Sequence, residues 1–121
     1  MKTIKEFATA AFAARDVVHR EHLRTKSYAQ HKGLESFYED IIDAADALAE
    51  ACQGRHGLIE EIPLLDIETA GAIDEVLESH MRMVEKMRYK ALSKDDSPLQ
   101  SLVDDLVVKY LRTLYKLRML K

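Results

Sequence analysis

His19, His31, Glu35, Asp46 and Glu50 are the residues of this chain whose types and spacing could do chemistry. Two imidazoles and three carboxylates recur at offsets of twelve, four, eleven and four. Glu35 lies one helical turn past His31, and Glu50 one turn past Asp46, so each pair shares a helix face. Nitrogen and oxygen donors in this combination suit iron, zinc or manganese. His22 and His80 are weaker candidates. His19 and His22 form a His-x-x-His step, an acceptable pair for a first-row metal. His80 sits in an apolar seam with Leu77, Met81 and Val84, where a lone histidine is more often a hydrogen-bonded core residue. His56 has no assigned role. The acids also have a plainer reading: Glu39, Asp43, Asp46 and Glu50 form a stripe of the kind that usually marks a solvated helix flank. Like charges at i,i+4 cost about 0.2–0.5 kcal/mol per pair, and no base at neighbouring offsets relieves them.

Other chemistries lack their residues. There is no phosphate-cradling glycine loop, no cysteine pair for structural zinc and no nucleophile elbow, so no catalytic residue is expected beyond the metal ligands. The one cysteine, Cys52, excludes an internal disulfide and fits a reducing cytoplasm. Its place on an apolar helix face reads as a buried, inert thiol.

The elements that must position these residues are helices. The 121 residues are 47% hydrophobic and 32% charged, with only four Gly and two Pro, which describes one globular all-α domain. Four amphipathic segments are expected at about 4–25, 28–54, 67–92 and 98–120. Thr3 with Glu6 and Ser27 with Gln30 read as capping boxes. Asp66 can cap the third helix, whose seam is Ala70, Ile73, Leu77, His80, Val84, Met87 and Ala91. Ser97, Pro98 and Gln100 start the fourth as cap, N1 and N3. Together they predict a four-helix bundle.

The connection from Arg55 to Leu65 decides between two topologies. It is long for a turn and carries Leu58, Ile59, Ile62, Leu64 and Leu65. Helix two is roughly 39 Å long at 1.5 Å per residue, and eleven extended residues reach about 36–40 Å. A crossover along the bundle, of the ferritin type, is therefore feasible with its apolar residues packed down. A plain up-down-up-down order is the alternative.

The net charge of −3 is unevenly spread. Lys109, Arg112, Lys116, Arg118 and Lys121 crowd the final segment without an acid. Complementing a helix dipole explains them better than nucleic-acid contact. No apolar run reaches the roughly 20 residues needed to cross a membrane, and the apolar stretch 7–14 reads as part of helix one.

The stretch from His19 to Glu50 resembles the Dps branch of the ferritin-like superfamily. In that family a histidine ends the first helix, a second opens helix two with an acid one turn on, and an Asp-x-x-x-Glu pair follows. His19, His31 with Glu35, and Asp46 with Glu50 stand in that register, amid a similar Leu34, Phe37-Tyr38 and Leu48 context. The chain departs from the family at Arg20, where Trp is usual, and in a middle connection too short for the family's extra helix. The resemblance implies an iron-binding homo-oligomer of the cytoplasm, oxidising Fe(II) at a dimer interface. His19, His31 and Glu35 would come from one subunit, and Asp46 and Glu50 from its two-fold partner. The alternative is a non-enzymatic helical interaction module of the same shape without a metal.

Overall fold

The computed structural model describes residues 2–62, 64 and 70–120, with the side chains of Lys2 and Thr3 excepted. Four helices account for most of them: α1 (Lys2–Arg24), α2 (Tyr28–His56), α3 (Ile73–Ala91) and α4 (Ser97–Met119). Ser27 caps α2 as expected, its hydroxyl accepting from the Gln30 amide. Instead of stopping at Gly54, α2 runs to His56 and closes on Gly57, whose φ of 95° suits a glycine.

The helices form a ring in which α1 touches α2 and α3, and α4 touches α2 and α3. The backbones of the diagonal pairs do not approach one another closely among the described residues. Small residues let α1 approach its neighbours, with Ala10, Ala11 and Ala14 fully buried. Phe7, Leu34, Phe37, Ile41, Leu48, Leu77, Val84, Leu106 and Tyr110 fill the centre. Cys52 is among them, and burial, with the Asp96 charge adding to it, pushes its thiol pKa above the ordinary value. An inert thiol is the result.

Three long-range contacts give the helix directions. Lys116, near the end of α4, lies over Gly33, near the start of α2. Arg118, one residue from the end of α4, reaches Asp74 and Glu78 at the start of α3, at 3.0 and 3.3 Å. Arg55, at the end of α2, meets Asp96 at the start of α4, at 2.9 Å. Helices α2 and α3 therefore start at the same end and run parallel on one diagonal. The chain between them must return the full length of the bundle. This is the expected crossover, and it excludes the up-down-up-down order.

That connection differs from expectation in detail. Ile59 is buried and Ile62 packs against the core, but Leu58 and Leu64 are exposed, and Leu65 lies outside the described residues. Helix α3 begins at Ile73, later than expected. Ala70 is non-helical, Gly71 takes a φ of 106°, and Ala72 caps α3 without a side-chain bond. Asp66, the expected cap, lies outside the described residues. The periodic pattern simply runs on through chain that the crossover needs. Residues 57–72 span up to about 53–58 Å when extended, against about 44 Å for α2.

At α4 the cap is Asp96, not Ser97, with the Asp96 carboxylate accepting from the Leu99 amide at 3.3 Å. Gln100 is consequently not part of a capping box. It is buried and ties the α3–α4 turn, its amide donating to the Ser93 carbonyl at 3.1 Å while its oxygen accepts from Arg88 at 2.8 Å. Among the described residues no helix is long and apolar enough to cross a membrane.

Candidate metal centre

The α1–α2 hairpin carries the site. The last turns of α1 bring His19 and His22, and the first turns of α2 bring His31 and Glu35. The turn between them is short because α1 ends at Arg24 and Ser27 already caps α2. Nine residues apart in sequence, His22 and His31 meet across the turn with ring centres 3.6 Å apart and planes 20° from parallel.

Their backbone bonds are reciprocal. His22 Nδ1 donates to the His31 carbonyl at 2.8 Å, and His31 Nδ1 donates to the His22 carbonyl at 2.8 Å. A carbonyl oxygen only accepts, so each ring must hold a proton on Nδ1. In the neutral tautomer this leaves Nε2 with a free lone pair on both rings. Backbone carbonyls orient metal-binding histidines in this way. The bond also serves the fold: His22 lies in the last turn of α1, where carbonyls lack an intrahelical partner.

Glu35 completes a cluster. A donor atom from each of His22, His31 and Glu35 lies within 4.8 Å of the other two. His22 is buried, and the two α2 residues are half-buried. Ligand bonds of about 2.0–2.2 Å place neighbouring donors roughly 3–3.5 Å apart around an ion. The cluster therefore has to contract by no more than about 1–2 Å to close. Glu35 is free to supply that movement, since its carboxylate is partly exposed and held only by a 3.5 Å contact with Lys32.

Rings continue on both sides of the pair. His19 stacks on Tyr38 with centres 4.3 Å apart and lies 6.1 Å from His22. Tyr28 flanks His31 at 6.3 Å, and the Arg15 guanidinium sits 5.5 Å from the Tyr38 ring centre. His19 is thus taken up by Tyr38 and stands outside the three-residue cluster. His22, the weaker candidate in sequence, takes its place. The signal that could have found His22 is its position opposite His31 across a tight antiparallel hairpin, whereas spacing along a single helix favours His19.

Asp46 and Glu50 are exposed and lie about 16 and 22 Å along α2 from Glu35 at 1.5 Å per residue. Within one chain they do not meet the histidines. Glu39 and Asp43 are exposed beside them, as a solvated flank would be. His80 is buried in the α3 seam, apart from the cluster.

Comparison with known proteins gives the chain its family. Residues 22–117 match the family of unknown function DUF5856, and the chain belongs to it. Over 117 residues it is 26% identical to an uncharacterized 14.6 kDa protein of Enterobacteria phage T4, encoded in the mobD-ri intergenic region. That match covers 93% of this chain and 85% of the phage protein. No solved structure matches. These findings overturn the resemblance to the Dps branch of the ferritin-like superfamily. Histidines and i,i+4 carboxylate pairs arise readily in any amphipathic bundle, and here His31 and Glu35 pair with His22 of the same chain. Arg20 and the short middle connection were genuine departures from the Dps pattern.

Proposed function

We propose that this member of DUF5856 binds a divalent first-row metal ion through His22, His31 and Glu35. The observation that carries the reading is the reciprocal Nδ1–carbonyl pair, which leaves an Nε2 lone pair on each ring of a cluster whose third member is the Glu35 carboxylate. Two histidines and one carboxylate are a donor set for zinc, and for ferrous iron with open positions. The set lies within one chain and needs no second copy to assemble. In a reducing cytoplasm Cys52 remains a thiol, and ferrous iron is the accessible oxidation state.

Calorimetric titration with Zn(II), and anaerobic titration with Fe(II) followed by air, test the reading. One ion per chain is expected, with His22→Ala and His31→Ala each weakening binding by roughly 100-fold or more. Asp46→Asn and Glu50→Gln should leave it unchanged. Equal binding by the wild type and a His22/His31/Glu35 triple variant sinks the proposal. Absorbance that develops in air only with all three residues intact would extend it to Fe(II) oxidation.

A second reading has its own observation. Both Nδ1 protons are already satisfied inside the chain, so the pair also works as a metal-free staple of the hairpin in a helical interaction module. Zinc-independent stability, equal in the presence of a chelator, favours this reading.

A further inference from the structure

A separate group of side chains lies on the other flank of α2. Lys109, Arg112, Thr113 and Lys116 follow i, i+3, i+4 and i+7 on α4 and so share one face. Ser36 and Asp40, one turn apart on α2, stand opposite. With Phe37 these residues line an open cavity of about 80 Å³. A single water needs only about 10–15 Å³, so a small polyatomic ion fits.

Charge sets this cavity apart. Three cations surround it against one carboxylate, Asp40. None of the three has a carboxylate within ion-pair distance among the described residues. The other arginines of α3 and α4 are all paired: Arg82 with Glu78, Arg88 with Asp104, and Arg118 with Asp74 and Glu78. The helix dipole does not account for the unpaired group, because its influence is confined to the last turn. Lys109 and Arg112 lie more than one turn before the end of α4 at Met119.

The lysine stem packs closely on α2. A Cβ on Gly33 would stand 3.4 Å from Lys116 Cβ and 3.7 Å from its Cδ, so the lysine stem is laid against α2 at a glycine. Thr113, at the floor, is buried. Two hydroxyls and three cationic donors facing one small space match a tetrahedral oxyanion, with its several acceptor oxygens, better than a carboxylate.

We propose that the α2–α4 groove binds a phosphate group through Lys109, Arg112 and Lys116, with Thr113 donating a hydroxyl hydrogen bond and Ser36 donating a second by rotating away from its long 3.5 Å bond to the Lys32 carbonyl. The ligand is inorganic phosphate or the phosphate of a small monoester. The site is independent of the histidine cluster, which lies on the α1 side of α2.

The test is a backbone amide NMR titration of the full chain with inorganic phosphate and with methyl phosphate, at ionic strength held constant with chloride. Saturable shifts at Ser36, Thr113 and Lys116 are expected, with Arg112→Gln weakening binding about tenfold and Arg112→Lys by a smaller factor. Lys86→Gln, a charge removed from the exposed face of α3, should leave affinity unchanged. Lys109→Gln provides a second groove variant if Arg112→Gln perturbs the spectrum of the free protein. Saturation by both probes assigns a monoester-competent site, and saturation by inorganic phosphate alone assigns a free-ion site. Shifts that chloride reproduces, or equal weakening by Lys86→Gln and Arg112→Gln, overturn the proposal.

Discussion

Truncating His22 and His31 singly and together, without metal, measures what holds the candidate centre in place. Each histidine donates to the other residue's backbone carbonyl, not to its ring. His31→Ala therefore removes the bond donated by His31 and the ring stack, but leaves the bond from His22 to the residue 31 carbonyl. His22→Ala does the converse and also empties a buried position. A hydrogen bond contributes about 0.5–1.5 kcal/mol net, and a stacked ring pair about 0.5–1.5 kcal/mol. His31→Ala should then cost about 1.5–2 kcal/mol, and His22→Ala about 2–3 kcal/mol with its cavity.

The double variant loses both bonds but only one stack. It should cost about 1 kcal/mol less than the sum of the singles, and that deficit is the coupling energy. Urea unfolding in a chelating buffer gives the three values, provided the slopes stay equal. Zinc at a hundred times its dissociation constant should then stabilise the wild type alone, by about 2.7 kcal/mol. A coupling near zero, or a neutral His31→Ala, would refute the geometry from which both the metal and the staple readings start.

Tyr110→Phe should stabilise the protein. The Tyr110 hydroxyl is fully buried with no hydrogen-bond partner among the described residues, and burial holds its pKa well above the ordinary phenol value. An unsatisfied buried polar group costs about 1–3 kcal/mol, so a gain of about 1 kcal/mol and a higher melting temperature are expected. A loss of stability would mean that the hydroxyl has a partner. Arg88→Met should destabilise by about 2–4 kcal/mol, because Arg88 is nearly buried and bonds Gln100 twice as well as Asp104; equilibrium unfolding that finds less than 1 kcal/mol would refute it. Acid should weaken the contact between the start of α3 and the end of α4. The Arg118 hydrogen bond, with the Arg118 and Arg82 charges, outweighs burial and lowers the Glu78 pKa from the ordinary value of 4.5. The resulting stabilisation is complete above that value and is lost as pH falls through the lowered one. Arg118→Gln should flatten this part of a stability–pH curve, and an unchanged acid limb would count against the pair.

Much of the fold was legible in the chain because it is governed locally. The 3.6-residue apolar period, the Ser27 cap and the Pro98 start signal specify four helices without reference to their neighbours. The crossover was legible too, because Ile59 and Ile62 lie in a connection too long and too apolar for a turn. His31 and Glu35, one turn apart on α2, could be paired from spacing alone. Three other features depended on tertiary packing. The start of α3 yields to the length that the crossover requires, since the apolar period continues past the point where helix is useful. Gln100 carries a capping signal at N3, but the α3–α4 turn claims its side chain for Ser93 and Arg88. His22 rather than His19 faces His31, because the register of α1 against α2 decides which imidazole crosses the turn. That register is set where α1 and α2 bury Ala11, Ala14, Leu34, Phe37 and Ile41 in one core, residues that carry no ligand chemistry. Spacing along one helix says which side chains share a face, and only the packed pair of helices decides which faces meet.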